Sequence, residues 1–341
     1  MPTMLDVAKR ARVSLSTVSY AINGARPISE ATRQRIFAAM DELGYRPHAL
    51  ARGLASKRSR IIALLFPTPE RGLGLTELEF VTSATETAME NGYNLVLWSS
   101  EADDPHELRQ RLQQGLVDGV MVMEVHLGDP RIALLRSINM PFSMIGRAAD
   151  DEPAGYADVD FDRTTRDAVG YLASLGHRQI AFLNQSWDEF QSGYGPVVRA
   201  HAGFERAIRA AGLIGVAQFC RPTPLDGRAA LDTLLGEHPA LTALVAMNDR
   251  AIPGAMQAIV DRGWRIPDDF SIMSILSSPR MTEMTNPPLT TLAAPSAELG
   301  RMGIEQLIQQ LDAEEPNQIQ ELLPCQLVVR GSTGLAPRGR A

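Results

Sequence analysis

Apolar residues in the first 46 positions recur with a helical period. Ile36, Ala39, Met40 and Leu43 fall at i, i+3, i+4 and i+7, and Val7, Ala8, Ala11, Val18 and Ile22 make facing stripes upstream. Residues of capping type stand between these stripes. Thr3, with Asp6 three positions on, predicts a helix that starts near Met4 and runs to about Arg12. Ser14 predicts a second over Leu15–Asn23, ended by Gly24, and Ser29 a third over Glu30–Leu43, stopped by Gly44. The three helices bury one small core and leave Leu15, Ser16, Thr17 and Tyr20 on the outer face of the second.

From Arg60 the pattern changes. Short apolar runs over 61–66, 94–99, 119–125, 142–146, 179–184, 216–220, 243–248 and 270–276 alternate with helical stretches over 82–90, 105–115, 164–175, 197–211 and 250–262. Strand and helix in alternation predict parallel sheets covered by helices on both faces. The expected architecture is an all-α helix-turn-helix headpiece over 1–46, a linker over 47–59 and a larger α/β unit over 60–341.

Charge sharpens the division. The chain carries a net charge of −7, but residues 1–60 hold eleven Lys and Arg against four acids, giving +7 and leaving −14 on the rest. A basic arm on an acidic body suits phosphate contact without body-wide adhesion, because each neutralised phosphate releases counterions. A short helix pair with an exposed second helix is the geometry that enters a DNA major groove. Only Cys220 and Cys325 occur, too far apart for a metal-spaced pair, and they read as structural thiols. No apolar run approaches the roughly 20 residues that span a bilayer, and the N-terminus lacks the apolar stretch of a secretory signal. The expected location is the cytoplasm, with no membrane partner.

The order of residues then becomes specific. Leu5-Asp6-Val7-Ala8-Lys9, Val13-Ser14-Leu15-Ser16-Thr17-Val18-Ser19-Tyr20-Ala21-Ile22-Asn23-Gly24, Ile28-Ser29-Glu30-Ala31-Thr32-Arg33 and Leu43-Gly44-Tyr45-Arg46-Pro47 resemble the headpiece of the lactose-repressor/galactose-repressor (LacI/GalR) family. The resemblance continues through Asn91-Gly92-Tyr93, Val117-Asp118-Gly119-Val120, Leu175-Gly176-His177-Arg178, Ala246-Met247-Asn248-Asp249 and Leu327-Val328-Val329-Arg330-Gly331. It implies a regulator, most often a repressor, that binds near-palindromic double-stranded operator DNA as a homodimer. Leu15, Ser16 and Tyr20 match the family's base readers. Thr3, Ser14, Thr17, Ser19 and Asn23 are expected at phosphate or groove contacts. Many members carry Arg where this chain has Tyr20, and Arg is the usual bidentate reader of guanine, so the operator sequence does not carry over. Residues 48–56 match a hinge that becomes helical on the operator, with Leu54 as the wedge that unstacks a base step.

For the larger unit the resemblance implies two lobes like those of a periplasmic sugar-binding protein, with an effector, most often a sugar or sugar derivative, in the cleft between them. Residues just after strands are then the candidates. Asn248 and Asp249 match effector contacts; Arg199 stands one position from the family's effector Arg. Arg147, Trp187 and Phe190 are further candidates. The chain departs from the family at Ser274-Ile275-Leu276-Ser277-Ser278, where a second effector carboxylate is missing, and at Pro222, where many members offer a stacking aromatic. An alternative partner is a phosphorylated protein corepressor, as used by the family's global catabolite regulators. The six His are isolated and no nucleophile or phosphate-loop motif occurs, so no catalytic residue, metal or cofactor is expected, and His177 reads as a structural hydrogen-bonding residue.

Overall fold

The computed structural model describes residues 2–23, 26–46, 58–67, 73–100, 105–149, 154–312 and 319–337. Helices form over Met4–Ala11, Leu15–Asn23 and Glu30–Leu43. Their N-termini are capped by the residues the sequence points to. The Thr3 amide donates to Asp6 Oδ2 at 2.9 Å, the Thr17 amide to Ser14 Oγ at 3.1 Å and the Thr32 amide to Ser29 Oγ at 3.3 Å. Arg12 and Gly44 close the first and third helices in the left-handed conformation. The expected stop at Gly24 lies outside the described residues, as does the hinge with Leu54. Val7, Ala8, Ala11, Val18, Ala21, Ile36, Ala39 and Met40 are buried together, with Ile22 and Leu43 half-buried against them. The headpiece thus has a core of its own.

The larger unit holds two six-stranded sheets. One contains β1 (Ile61–Pro67), β2 (Asn94–Ser100), β3 (Gly119–Val122), β4 (Phe142–Ile145), β5 (Tyr156–Val159) and β11 (Gln320–Leu323), in the order β2-β1-β3-β4-β5-β11. The other contains β6 (Gln179–Asn184), β7 (Ile214–Phe219), β8 (Ala243–Ala246), β9 (Ser271–Ile275), β10 (Thr290–Ala293) and β12 (Gln326–Val328), in the order β7-β6-β8-β9-β10-β12. Neighbours are parallel except β10 and β12. The chain passes from the first lobe to the second after β5, returns after β10 into the Ser296–Asp312 helix, and crosses again between β11 and β12.

Two apolar runs end as strands two or more residues earlier than the sequence suggests. The run 119–125 pairs only to Val122, because Glu124 takes a left-handed φ of 54° and turns the chain. The run 243–248 pairs only to Ala246. Met123, Val125 and Met247 are buried all the same, and the Met123 and Met247 amides each make one last bond to the neighbouring strand, to the Leu65 and Leu183 carbonyls at 3.1 and 2.9 Å, before the chain leaves the sheet. The C-terminal segment folds back on the second lobe, where the Thr290 amide donates to Ser332 Oγ at 2.8 Å and the Ala336 amide to the Leu175 carbonyl at 2.9 Å. His177 is fully buried beneath it, with Nδ1 2.8 Å from Thr242 Oγ1 and Nε2 3.1 Å from both Ser271 Oγ and the Gly334 carbonyl. Burial depresses its pKa, as fits a structural role.

Candidate functional site

On the headpiece the Leu15–Asn23 helix presents one polar face with an apolar tip. Leu15 is 48% exposed although it is a large aliphatic residue outside the core, and Ser16 beside it is exposed. Ser14 Oγ is the hub of the helix start, lying 2.8 Å from Ser16 Oγ and 2.7 Å from Thr17 Oγ1 while capping the Thr17 amide. Thr17, Ser19 and Tyr20 are half-buried. The Arg26 guanidinium stands 5.6 Å from the Tyr20 ring centroid, a cation–π contact that holds a positive charge next to this face. Thr3 is engaged by its own cap: its hydroxyl donates to Asp6 Oδ2 at 2.7 Å, and that bond holds the Asp6 carboxyl below the usual range.

The larger unit has a cleft between its lobes, at the C-terminal ends of the strands. Strand orders that begin β2-β1-β3 and β7-β6-β8 reverse direction at β1/β3 and β6/β8, and such switch points open a crevice. Thr76 and Glu77 follow β1, Met123 to Val125 follow β3, Gln185 follows β6, and Met247 and Asp249 follow β8; all line one cavity of about 100 Å³. Asp158 and Val159 of β5 and Leu276 and Ser277 after β9 complete it, with Phe80, Phe161 and Leu299 as apolar wall. Asp158 is buried, and burial pushes its carboxyl up to about 6 against the pull of Arg199 and Arg147.

Hydrogen bonds hold the lobes together on both rims. On one, the Leu127 amide donates to the Gly193 carbonyl at 2.8 Å, the Gly195 amide to the Val125 carbonyl at 3.0 Å, and the Tyr194 hydroxyl to Glu124 Oε2 at 2.6 Å. A Cβ at Gly195 would stand 2.8 Å from the Val125 carbonyl, so this close approach requires glycine. Arg199 reaches across to the Arg147 and Ala148 carbonyls at 2.9 and 2.7 Å. On the opposite rim the Ser278 amide donates to Thr76 Oγ1 at 2.9 Å and its hydroxyl to Glu79 Oε1 at 2.5 Å.

A capped helix pair with an exposed second helix, joined to a two-lobed cleft, has clear counterparts among known proteins. Residues 3–48 match the sequence profile of bacterial regulatory proteins of the lacI family, and residues 169–333 that of a periplasmic binding protein-like domain. The HTH-type transcriptional regulator AscG of Escherichia coli (strain K12) is 32% identical over 323 residues, covering 92% of this chain and 93% of the relative. This chain belongs to the LacI family. Among solved structures, the lac repressor dimer bound to operator and the anti-inducer ONPF superposes with a TM-score of 0.83 at 26% identity, over 98% of this chain and 99% of that one. A complex of the transcriptional regulator CelR with cellobiose gives 0.73 at 27% identity, over 97% and 100%.

Measured against the LacI-family expectation, the candidate effector residues fall into four groups. Asp249 lines the cavity. Asn248, only 2% exposed, turns its amide to the Cys220 carbonyl at 2.9 Å and so pins the end of β7 to the loop after β8. Arg147 and Arg199 stand behind the cavity wall: Arg147 Nε is 3.4 Å from Asp158 Oδ2, and Arg199 ties the lobes as described. Trp187 is outside the cavity. It is half-exposed, stacks on Phe190 at 5.1 Å and meets Phe219 edge-on, lining a separate surface hollow with Cys220 and Asp226. Sequence reading passed over Asp158, Ser277, Glu124 and Tyr194. A carboxylate inside the apolar strand Tyr156–Val159 was the one available signal for Asp158, and Ser277 was visible only as a missing acid.

Among the described residues no helix is long and apolar enough to cross a membrane, and no cluster of His, Cys, Asp or Glu fits a metal. Cys220 and Cys325 are free thiols whose pKa values burial pushes up to about 12, which makes them poor nucleophiles.

Proposed function

We propose that this protein is an operator-binding repressor whose DNA affinity is set by a small effector in the interlobe cleft, a sugar or sugar derivative, and that it works as a homodimer in the cytoplasm without catalytic activity. The observation that carries the reading is the pairing of a helix face with exposed Leu15 and Ser16 and half-buried Tyr20, on a self-contained headpiece, with a cavity lined from both lobes. Base contact fits the exposure of Leu15 and Ser16 with Tyr20 half-buried beside them, and Ser14, Thr17, Ser19 and Thr3 flank that helix face or its neighbour; the Asn23 side chain lies outside the described residues. Tyr20 with Arg26 over its ring supplies an aromatic and a cation where many family members have a single Arg. Asp249 at the cavity and Asn248 behind it support an effector role for that loop, while Arg147 and Arg199 act through the wall and the lobe contacts. Trp187 joins this set only if ligand extends past the rim. The solved CelR relative holds cellobiose, which favours the sugar reading.

Affinity selection from random DNA duplexes tests the core of it. The protein should enrich a near-palindrome, Tyr20→Ala should relax specificity at one position of each half-site, and sugars should shift the complex in a gel. Enrichment of no sequence over non-specific duplex would overturn the reading.

A further inference from the structure

We infer that the cleft takes an uncharged, hydroxyl-rich ligand gripped by Asp158 from one lobe and Ser277 from the other, and that phosphate esters of such ligands are rejected. The inference rests on the effector reading above and narrows it to a chemical class and two residues.

Two polar atoms lining the cavity lack hydrogen-bond partners. Asp158 Oδ2 is one, on a side chain only 6% exposed; Ser277 Oγ is the other, on a residue 1% exposed. Both belong to residues that line the cavity, and they come from opposite lobes, from β5 and from the turn after β9. Buried polar groups normally find partners; among the described residues Oδ2 has only the 3.4 Å ion pair with Arg147 Nε, Ser277 Oγ has no hydrogen bond, and since both residues line one cavity the pair marks where a ligand's own polar groups belong. The carboxylate Oδ2 accepts only, whereas the serine hydroxyl both donates and accepts. A hydroxyl on the ligand satisfies either one, and adjacent hydroxyls satisfy both at once.

Charge decides between hydroxylated ligands. Among the described residues the cavity lining includes the carboxylates Glu77, Glu124, Asp158 and Asp249 and no Lys or Arg. A phosphate dianion entering there meets more carboxylates than cations. Arg250 Nη2 shares the Gly74 corner with Glu77 Oε2 and offsets that one carboxylate, while two other guanidinium groups point elsewhere. Arg199 binds the Arg147 and Ala148 carbonyls, and Arg147 sits against Asp158 at 3.4 Å. That same ion pair weighs against a cationic ligand at Asp158, since a second cation would stand next to Arg147. A neutral hydroxyl brings no net charge and completes the carboxylate's hydrogen bonding. The apolar wall of Phe80, Phe161, Ile145, Val159 and Leu276 suits the C–H face of a sugar ring.

Space sets the mode of entry. The cavity of about 100 Å³ is well below the 300–1,000 Å³ usual for ligand clefts, so the rim bonds at Tyr194–Glu124 and Ser278–Glu79 must loosen as ligand enters. A ligand that bridges Asp158 and Ser277 then ties the two lobes to each other.

The test is a thermal-shift and calorimetry screen of the full-length protein against neutral mono- and disaccharides and polyols, each beside its phosphate ester, including D-glucose, cellobiose and glucose 6-phosphate. Wild type should be stabilised by at least one neutral member and by none of the esters. For that member Asp158→Asn should raise Kd at least about tenfold and Ser277→Ala about fivefold, as expected for buried hydrogen bonds to a charged and to a neutral group. The two ligand-free variants should melt cooperatively, and Ser277→Ala serves if Asp158→Asn folds poorly. An ester that binds as tightly as its neutral parent, a Kd unmoved by both substitutions, or a screen in which no neutral member binds would overturn the inference. Operator binding, followed in the same samples, separates the two claims. An ester that binds and alters operator affinity sinks this inference and leaves the regulator reading intact. Failure to select any duplex, with sugar binding present, does the reverse.

Discussion

Asp158 also predicts how stability responds to pH. Its carboxyl is pushed up to about 6 in the folded protein from an ordinary 3.8, chiefly because burial disfavours the charged form. Between those values the unfolded chain has lost the proton while the folded one keeps it. Stability then falls as pH rises, with the full contribution present below about 3.8 and lost once pH passes about 6. Over the full titration that rise corresponds to roughly 3 kcal/mol. Wild type alone does not isolate the effect. His177, whose pKa burial depresses, contributes in the opposite sense and loses its share as pH falls through its own range. Replacing Asp158 with Asn removes one titration and leaves the other. Urea unfolding of wild type and Asp158→Asn at pH 4.5, 6 and 7.5 should therefore show the variant gaining on wild type with rising pH, by about 2 kcal/mol across the range. A difference that stays constant within about 0.5 kcal/mol, or that grows toward acid, would show that Asp158 is ionised at ordinary cost.

Other expectations follow from the same geometry. Operator affinity should fall linearly in log–log form with salt, because the +7 of residues 1–60 releases counterions; a flat response between about 50 and 200 mM would contradict phosphate-driven binding. His177→Ala strips the buried partners from Thr242 and Ser271 and opens a void, so a loss of about 3 kcal/mol in urea unfolding is expected, and less than about 1 would show the network to be dispensable. Asn248→Ala frees the Cys220 carbonyl and should blunt the effector response while sparing operator binding, which a titration of the gel-shifted complex would read. Adding purified protein or a cell extract to the same gel would distinguish a small effector from a protein corepressor, since only the extract supplies the latter.

The headpiece was legible in the sequence almost residue by residue. Thr3 with Asp6, Ser14, Ser29 and Gly44 act on backbone groups within four positions, so their meaning does not depend on the rest of the fold. The alternation of strand and helix beyond Arg60 was legible for the same reason, since period and burial are local properties. The LacI-family motifs added the two lobes, which periodicity does not reveal.

The cleft was decided elsewhere. Arg199 follows a helix start like any surface arginine, and only the approach of the 147–148 loop turns it into a bond between lobes. Asn248 sits after a strand, where a ligand contact was expected, yet the end of β7 claims its amide. Trp187 is placed by its stack on Phe190, away from the cavity. Asp158 and Ser277 are 119 positions apart and reach one cavity because the chain crosses between lobes after β5. Capping and periodicity are governed by neighbours along the chain and are written in the sequence; the partners of these side chains are brought near by sheet order and lobe crossing, which no local pattern encodes.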